Sequence, residues 1–381
     1  MSSGYIPYGR QWIDDADIAA VCDVLRSDWL TTGPMVERFE QAVARYVGAR
    51  HAVAVSSGTA ALHAALFALG IGPGDEVIVP PMTFAATANC VVYQGGIPVF
   101  ADVDAGTLLL DPEKAEEKVT ARTKAIIAVD YAGQPADYDA LGEIAARPAI
   151  ALVADGCHAL GASYKGRAVG SLAQLTAFSF HPVKHITTGE GGMITTDDDV
   201  LAARLRMFRN HGITTDHRQR VECGSWFYEM EELGYNYRLS DFQCALGLNQ
   251  LSKLSGWLAD RQNIAARYDS AFRGSDKIRP LDVGPDVTHA YHLYVVRLLK
   301  DQDTADRAAV FAALRQAGIG ANVHYIPVHL HPFYRRRFAT GPGLCPVAEA
   351  AYEQILSLPM FPRMRDNEVD RVVSAVRQAV G

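Results

Sequence analysis

Between residues 52 and 196 short apolar runs alternate with helical patterns, and this alternation leaves few folds open. Strands are expected at 52–55, 76–80, 98–102, 125–130, 149–154, 175–180 and 193–196. Runs such as AIIAV and AIALVA are apolar at every position. Continuous apolarity marks parallel strands with helices on both faces. Helical stretches at 59–69 and 112–119 lie between them, and amphipathic helices are expected ahead of them at 14–26 and 35–46. The expected fold class is α/β, a mostly parallel sheet flanked by helices.

Past residue 240 the texture changes. A long helix is expected at 239–258, its pattern continuing over 261–272, and a strand at 292–299. A helix at 305–317 is ended by Gly318, and helices at 347–356 and 366–379 follow. Strands mixed with helices imply a smaller C-terminal α+β domain. A chain of 381 residues suits two domains, placed at 1–250 and 251–381. The runs at 197–199 and 335–337 are short: the first reads as a solvated turn, and the second is too short for a nucleic-acid patch.

Charge narrows the function classes. Lys plus Arg total 36 against 43 Asp plus Glu, a net charge of −7, which disfavours a nucleic-acid binder. Six scattered cysteines (22, 90, 157, 223, 244 and 345) form no C-x-x-C pair, so neither a zinc ribbon nor a thioredoxin-like site is expected, and they read as reduced. The start MSSGYIPYGRQW has no signal-peptide character, and no run of roughly 18 apolar residues suggests a membrane span. The expected location is the cytoplasm.

Three constellations carry chemistry. Ser56-Ser57-Gly58-Thr59 lies between the strand HAVAV and a helix. Free backbone N–H groups and the helix dipole make such a junction an anion site, although Ser57 serves equally as a plain N-cap. Asp155 ends the strand of ALVADGCHALG, with His158 three residues on. A carboxylate at a strand's carboxyl end suits a cationic ring nitrogen or a metal, and equally starts a turn. Lys184 stands between a buried strand and the Gly-rich turn GEGG. A desolvated lysine there can form a Schiff base; an ordinary loop lysine is the plainer alternative. Together the anion cradle, the acid and the lysine are what pyridoxal phosphate requires.

The chain resembles the DegT/DnrJ/EryC1/StrS family of sugar aminotransferases over nearly its whole length. The segments LRSDWLTTGPMVERFE, VSSGTAALHAAL, PPMTFAATANCVVYQGGIPVFADVD, DYAGQPADYDAL, DGCHALGASY, FSFHPVKHITTGEGGMI, GYNYRLSDFQCALGLNQL and HYIPVHLHPFY carry the resemblance. It implies a fold-type I, aspartate aminotransferase-like architecture and pyridoxal phosphate as cofactor. It also implies Lys184 as the Schiff-base lysine and Asp155 as the partner of the pyridine nitrogen. Ser57, Gly58, Thr59 and Ser179 are implied around the phosphate, Phe84 stacking on the ring, and His158 near its hydroxyl. Asn236 resembles the asparagine that reaches the neighbouring subunit's cofactor, so a homodimer with shared active sites is expected. Some relatives are dehydratases with histidine at the lysine position; Lys184 favours transamination.

The loop HPVKHITTGEGG is most similar to family members that aminate a UDP-linked 4-keto-6-deoxy-N-acetylhexosamine at C-4 in pseudaminic-acid biosynthesis. L-Glutamate is the donor such a resemblance implies, with 2-oxoglutarate as by-product. Tyr5, Tyr8, Trp29, Thr31 and Thr32, with His324, Tyr325 and His329, are the expected substrate contacts, core packing being the alternative for the aromatics. Histidines 324, 329 and 331 do not make a metal set, since no Cys or acid completes it nearby. Aminotransferases of dTDP- or GDP-linked keto sugars remain an alternative, as does a non-catalytic pyridoxal-phosphate regulator. A nicotinamide or flavin enzyme is disfavoured because no G-x-G-x-x-G follows the first strand.

Overall fold

The computed structural model describes residues 4–147, 150–215, 217–299 and 306–381. Its main sheet has seven strands, in the order His51–Val55, Gly192–Thr196, Leu175–Ser179, Ala151–Asp155, Thr123–Val129, Glu76–Val79, Ile97–Phe100. Four of the neighbouring pairs are parallel. Gly192–Thr196 runs against both of its neighbours. The mostly parallel sheet is therefore present, with one reversed strand.

The continuous apolar runs have a direct structural cause. Ala125, Ile127 and Val129 enter the core on one face of the sheet, while Ile126 and Ala128 enter the core on the other. Val53 and Val55 likewise face one core, Ala52 and Ala54 the opposite one. Helices cover both faces, and their ends follow local chemistry. Asp14 caps the helix Asp15–Leu25 through a capping box with Asp17, and Gly48 ends Pro34–Val47 in a left-handed conformation.

A second sheet joins Ile278–Pro280, Tyr294–Leu298 and Ile355–Leu358. With helices Arg307–Gln316 and Asp366–Val380 it encloses its own apolar cluster, including Val296, Leu314, Leu356 and Val372.

The long helix expected at 239–258, with its pattern continuing over 261–272, is one helix of 32 residues, Asp241–Phe272. No proline interrupts it, and its two interior glycines, Gly247 and Gly256, cost only about 1 kcal/mol each. Residue 250, the expected domain division, lies inside it. The helix expected at 347–356 is a short helix, Pro346–Tyr352, followed by the strand Ile355–Leu358. Four apolar-rich residues there pair with Tyr294–Arg297, and that tertiary pairing overrides the local pattern. Residues 149 and 305, the expected first positions of a strand and a helix, lie outside the described residues. Among the described residues no helix is long and apolar enough to cross a membrane.

Candidate active site

The carboxyl ends of the parallel strands converge on one cleft of about 500 Å³, where an open α/β sheet takes its ligands. Asp155 ends one strand and Ser179 the next. His51–Val55 leads into the helix Gly58–Ala68, whose first turn forms one wall.

That wall is shaped for an anion. Ser57 is the N-cap, its hydroxyl accepting from the Ala60 amide at 3.0 Å, so both roles expected for this junction coexist. The amides of Gly58 and Thr59 belong to a helical first turn, which has no carbonyl of its own to pair with. A Cβ on Gly58 would lie 2.9 Å from Ser179 Cβ and 3.1 Å from Cys157 Sγ. Only glycine leaves that space open.

Asp155 is buried at the floor of the cleft. The Thr87 hydroxyl donates to its Oδ2 at 2.6 Å, and the Cys157 amide donates to Oδ1 at 3.2 Å. His158 Nε2 lies 3.1 Å from the Tyr325 hydroxyl, while its buried Nδ1 has no partner. Burial, followed by the nearby Lys184, holds the His158 pKa well below the ordinary histidine value, so the ring is neutral.

Lys184 lies on the turn after Ser179, its amide bonded to the His181 carbonyl at 2.9 Å. Its Nζ is 3.5 Å from His292 Nε2. Burial lowers the amine's pKa, with the charges of Cys157 and Asp155 opposing. His292 is brought there from far along the chain. The buried Arg261 donates from Nη1 to the carbonyls of Tyr291 at 2.9 Å, Met360 at 3.2 Å and His292 at 3.4 Å. Gly133 lets the two histidine segments meet: a Cβ there would lie 2.8 Å from the His158 carbonyl and 2.9 Å from the His292 amide. The His158 and His292 ring centroids are 4.3 Å apart.

Other expected residues distribute unevenly. Phe84 stands 61 % exposed at the cleft wall, its ring 6.1 Å from that of Tyr325. Tyr8, His324 and Tyr325 also line the cleft. His324 Nδ1 lies 2.8 Å from the Ser357 hydroxyl, and burial lowers its pKa to about 4. Tyr5, Trp29 and Thr31 are exposed and lie outside the cleft of their own chain, and Thr31 forms a bridge with Ser240. Thr32 also lies outside it. Asn236 is exposed, opposite Asn210, and also outside this cleft.

His329 corrects the expected substrate set. It is fully buried with Nε2 2.9 Å from Glu349, and its ring faces Phe100. It braces the segment around 343–349 and does not reach the cleft. Thr83, Thr87 and His292 were not singled out from sequence. The two threonines carried one available signal, polar residues four apart in the otherwise apolar MTFAATA. His292 had only its neighbourhood in HAYHLYVV.

An anion cradle, a buried acid and a lysine at the carboxyl ends of a seven-stranded α/β sheet define a fold-type I pyridoxal-phosphate enzyme. The cofactor fits: Gly58 leaves the phosphate's space open, and Asp155 offers its oxygens to a ring nitrogen. A model of the DegT/DnrJ/EryC1/StrS aminotransferase family matches residues 11–377. The spore coat polysaccharide biosynthesis protein SpsC of Bacillus subtilis is 44% identical over 378 residues, 99% of this chain and 97% of that protein. The solved structure of the sugar aminotransferase Spr1654 from Streptococcus pneumoniae, in its PMP form, superposes with a TM-score of 0.92 at 35% identity, covering 98% of each chain. Helicobacter pylori PseC, an aminotransferase of pseudaminic-acid biosynthesis, superposes with a TM-score of 0.92 at 31% identity, covering 99% of each chain. The chain belongs to the DegT/DnrJ/EryC1/StrS aminotransferase family and is a pyridoxal-phosphate-dependent sugar aminotransferase.

Proposed function

We propose that the protein transfers an amino group from L-glutamate to C-4 of UDP-2-acetamido-2,6-dideoxy-hexos-4-ulose, a step of pseudaminic-acid type, in the cytoplasm. The observation that carries aminotransfer is the meeting of Lys184, Asp155 and the Gly58–Thr59 helix start in one cleft. The likeness of the whole chain to PseC supports the substrate class. Dehydration is disfavoured because position 184 is lysine.

The bound cofactor supplies an electrophilic carbonyl and an electron sink. Each protein group has a task around it. Gly58 and Thr59, with Ser57 and Ser179, hold the phosphate, and Asp155 holds the proton on the ring nitrogen. Phe84 covers one ring face, and the neutral His158 meets the ring hydroxyl. Lys184 Nζ would accept the donor's α-proton and pass it to the cofactor's aldehyde-derived carbon; in the second half-reaction it would run the same transfer in reverse. Its lowered pKa favours the neutral amine that this task requires. Tyr8, His324 and Tyr325 stand where the sugar would enter.

A single chain leaves the charge of this site unbalanced. Among the described residues lining the cleft, the only lysine or arginine is Lys184. Glutamate and a nucleotide diphosphate are both anionic, so further cations must come from outside this cleft. This supports a homodimer with shared sites, in which Asn236 reaches the partner's cofactor and Tyr5, Trp29 and Thr31 act at the edge of a composite site.

The purified protein should show the visible absorbance of lysine-bound cofactor, converting to a shorter-wavelength band on adding L-glutamate. A colourless protein that pyridoxal phosphate cannot reconstitute would overturn the reading. Presenting the aminated cofactor form with UDP-, dTDP- and GDP-linked 4-keto sugars then tests the substrate, and fastest turnover with a dTDP or GDP sugar would replace the UDP assignment.

A further inference from the structure

Beneath the Asp155 carboxylate lies a short file of hydroxyls. Thr87 Oγ1 is 2.6 Å from Asp155 Oδ2, and Thr83 Oγ1 is 2.7 Å from Thr87 Oγ1. All three side chains are buried. An ionised carboxylate only accepts, and a hydroxyl has a single hydrogen. Thr87 therefore donates to Asp155, and Thr83 must donate to Thr87. The order of donors is fixed along the file, and its two hydrogen bonds polarise one another in the same sense.

The arrangement joins two elements. Thr87 belongs to the helix Ala86–Tyr93, whereas Asp155 ends a strand 68 residues later. The Cys157 amide holds the other carboxylate oxygen at 3.2 Å. With one donor on each oxygen, the plane of the carboxylate is set before any ligand arrives. Lone pairs remain on both oxygens for a donor on the cleft side.

We propose that Thr87, backed by Thr83, is a positioning residue that orients Asp155 and holds it as the anionic acceptor for the cofactor's ring N–H. The inference rests on the assignment of Asp155 to that nitrogen. Thr87 acts only through Asp155. Removing its hydroxyl leaves Oδ2 with one donor fewer, so the carboxylate is a less stable anion and the ring nitrogen keeps its proton less well.

The test reads the nitrogen itself. Wild type, Thr87→Val and Thr87→Ser are reconstituted with 15N-labelled pyridoxal phosphate, and the ring-nitrogen chemical shift is measured. Wild type and Thr87→Ser should give the protonated-ring shift, whereas Thr87→Val moves toward the neutral-pyridine shift. Thr83→Val moves the same way by less. The glutamate half-reaction of Thr87→Val should slow by about 10- to 100-fold, the scale of a hydrogen bond to a charged group, with little change in KM. If Thr87→Val does not fold, Thr87→Ala reports the same shift without adding a methyl group against the carboxylate. An unchanged shift in the folded variant overturns the inference while the assignment of Asp155 stands. An unprotonated ring in the wild type overturns that assignment and the inference with it.

Discussion

The cleft and the segment at 221–236 belong to one chain but are finished to different degrees. In and just behind the cleft most buried polar groups meet a partner from the same chain: Ser57 caps its helix, Asp155 receives two donors and, outside the lining, Arg261 clamps three carbonyls. The other segment is tied down largely by its backbone, through bonds such as Thr214 to Glu229, His211 to Tyr235 and Tyr235 to Phe208, with a few side-chain contacts such as Arg220 over the Tyr228 ring. Its side chains face outward: Trp226 is 85 % exposed, Leu233 74 % and Met230 66 %. An ordered backbone presenting large apolar groups to water marks a surface built to be covered. The contrast teaches that one chain completes the catalytic floor, while the proposed second copy would complete the walls.

The sharpest break in that contrast is at the floor. Lys184→Ala should reduce turnover by about 10⁴-fold or more, because the acceptor and donor of the transferred proton is removed. The thermal midpoint should stay near that of the wild type, since among the described residues Nζ makes one long hydrogen-bond contact, at 3.5 Å from His292. Normal turnover would remove Lys184 from the chemistry. Asp155→Asn should slow both half-reactions by about 10²–10³-fold, the scale of losing a preorganised electrostatic partner. Near-normal single-turnover rates would reject its role at the ring.

At the other region the expected effect is smaller and the logic finer. Asn236→Ala should weaken cofactor retention by about tenfold, the scale of one hydrogen bond to a charged group. Lys184→Ala and Asn236→Ala chains are then mixed and allowed to exchange. If Asn236 acts across a dimer, one site in each mixed pair has an intact lysine and an intact partner asparagine, and retention at that site returns to the wild-type level. If Asn236 acts within its own chain, mixing recovers nothing.

How much of this was legible depended on sequence distance. The strands were readable because their two faces feed two cores, so that AIIAV needs no polar residue. Gly58, Asp155 and Lys184 were readable because each stands at the end of its own local pattern. Thr87 and His292 were not, since their partners lie 68 and 108 residues away and only the folded sheet brings them together. His329 read like its neighbour His324 in HYIPVH, yet one enters the cleft and the other turns to Glu349, 20 residues on. The division near 250 was placed by a change of texture that a single continuous helix bridges without a break.

The smallest effect is expected from a carboxyl that belongs to the finished region but stays out of its chemistry. Asp130 is fully buried and accepts from the Ala136 amide at 2.9 Å and from the Tyr138 hydroxyl at 2.9 and 3.0 Å. Burial raises its pKa from 3.8 to about 7. The folded state therefore keeps a proton that the unfolded chain has lost between pH 4 and 7. In that window the unfolded state binds fewer protons, so this group's contribution to stability falls as pH rises. It is complete below the unfolded value and lost on passing through about 7. Asp130→Asn keeps an acceptor for Ala136 and removes the titration. The thermal midpoint of the variant relative to the wild type should thus rise by a few degrees from pH 4 to pH 8. Carboxylates with lowered pKa, such as Asp14 and Glu76, give the opposite slope in both proteins and cancel in the difference. A difference that is flat with pH would show that Asp130 ionises in the folded protein as readily as in the unfolded one.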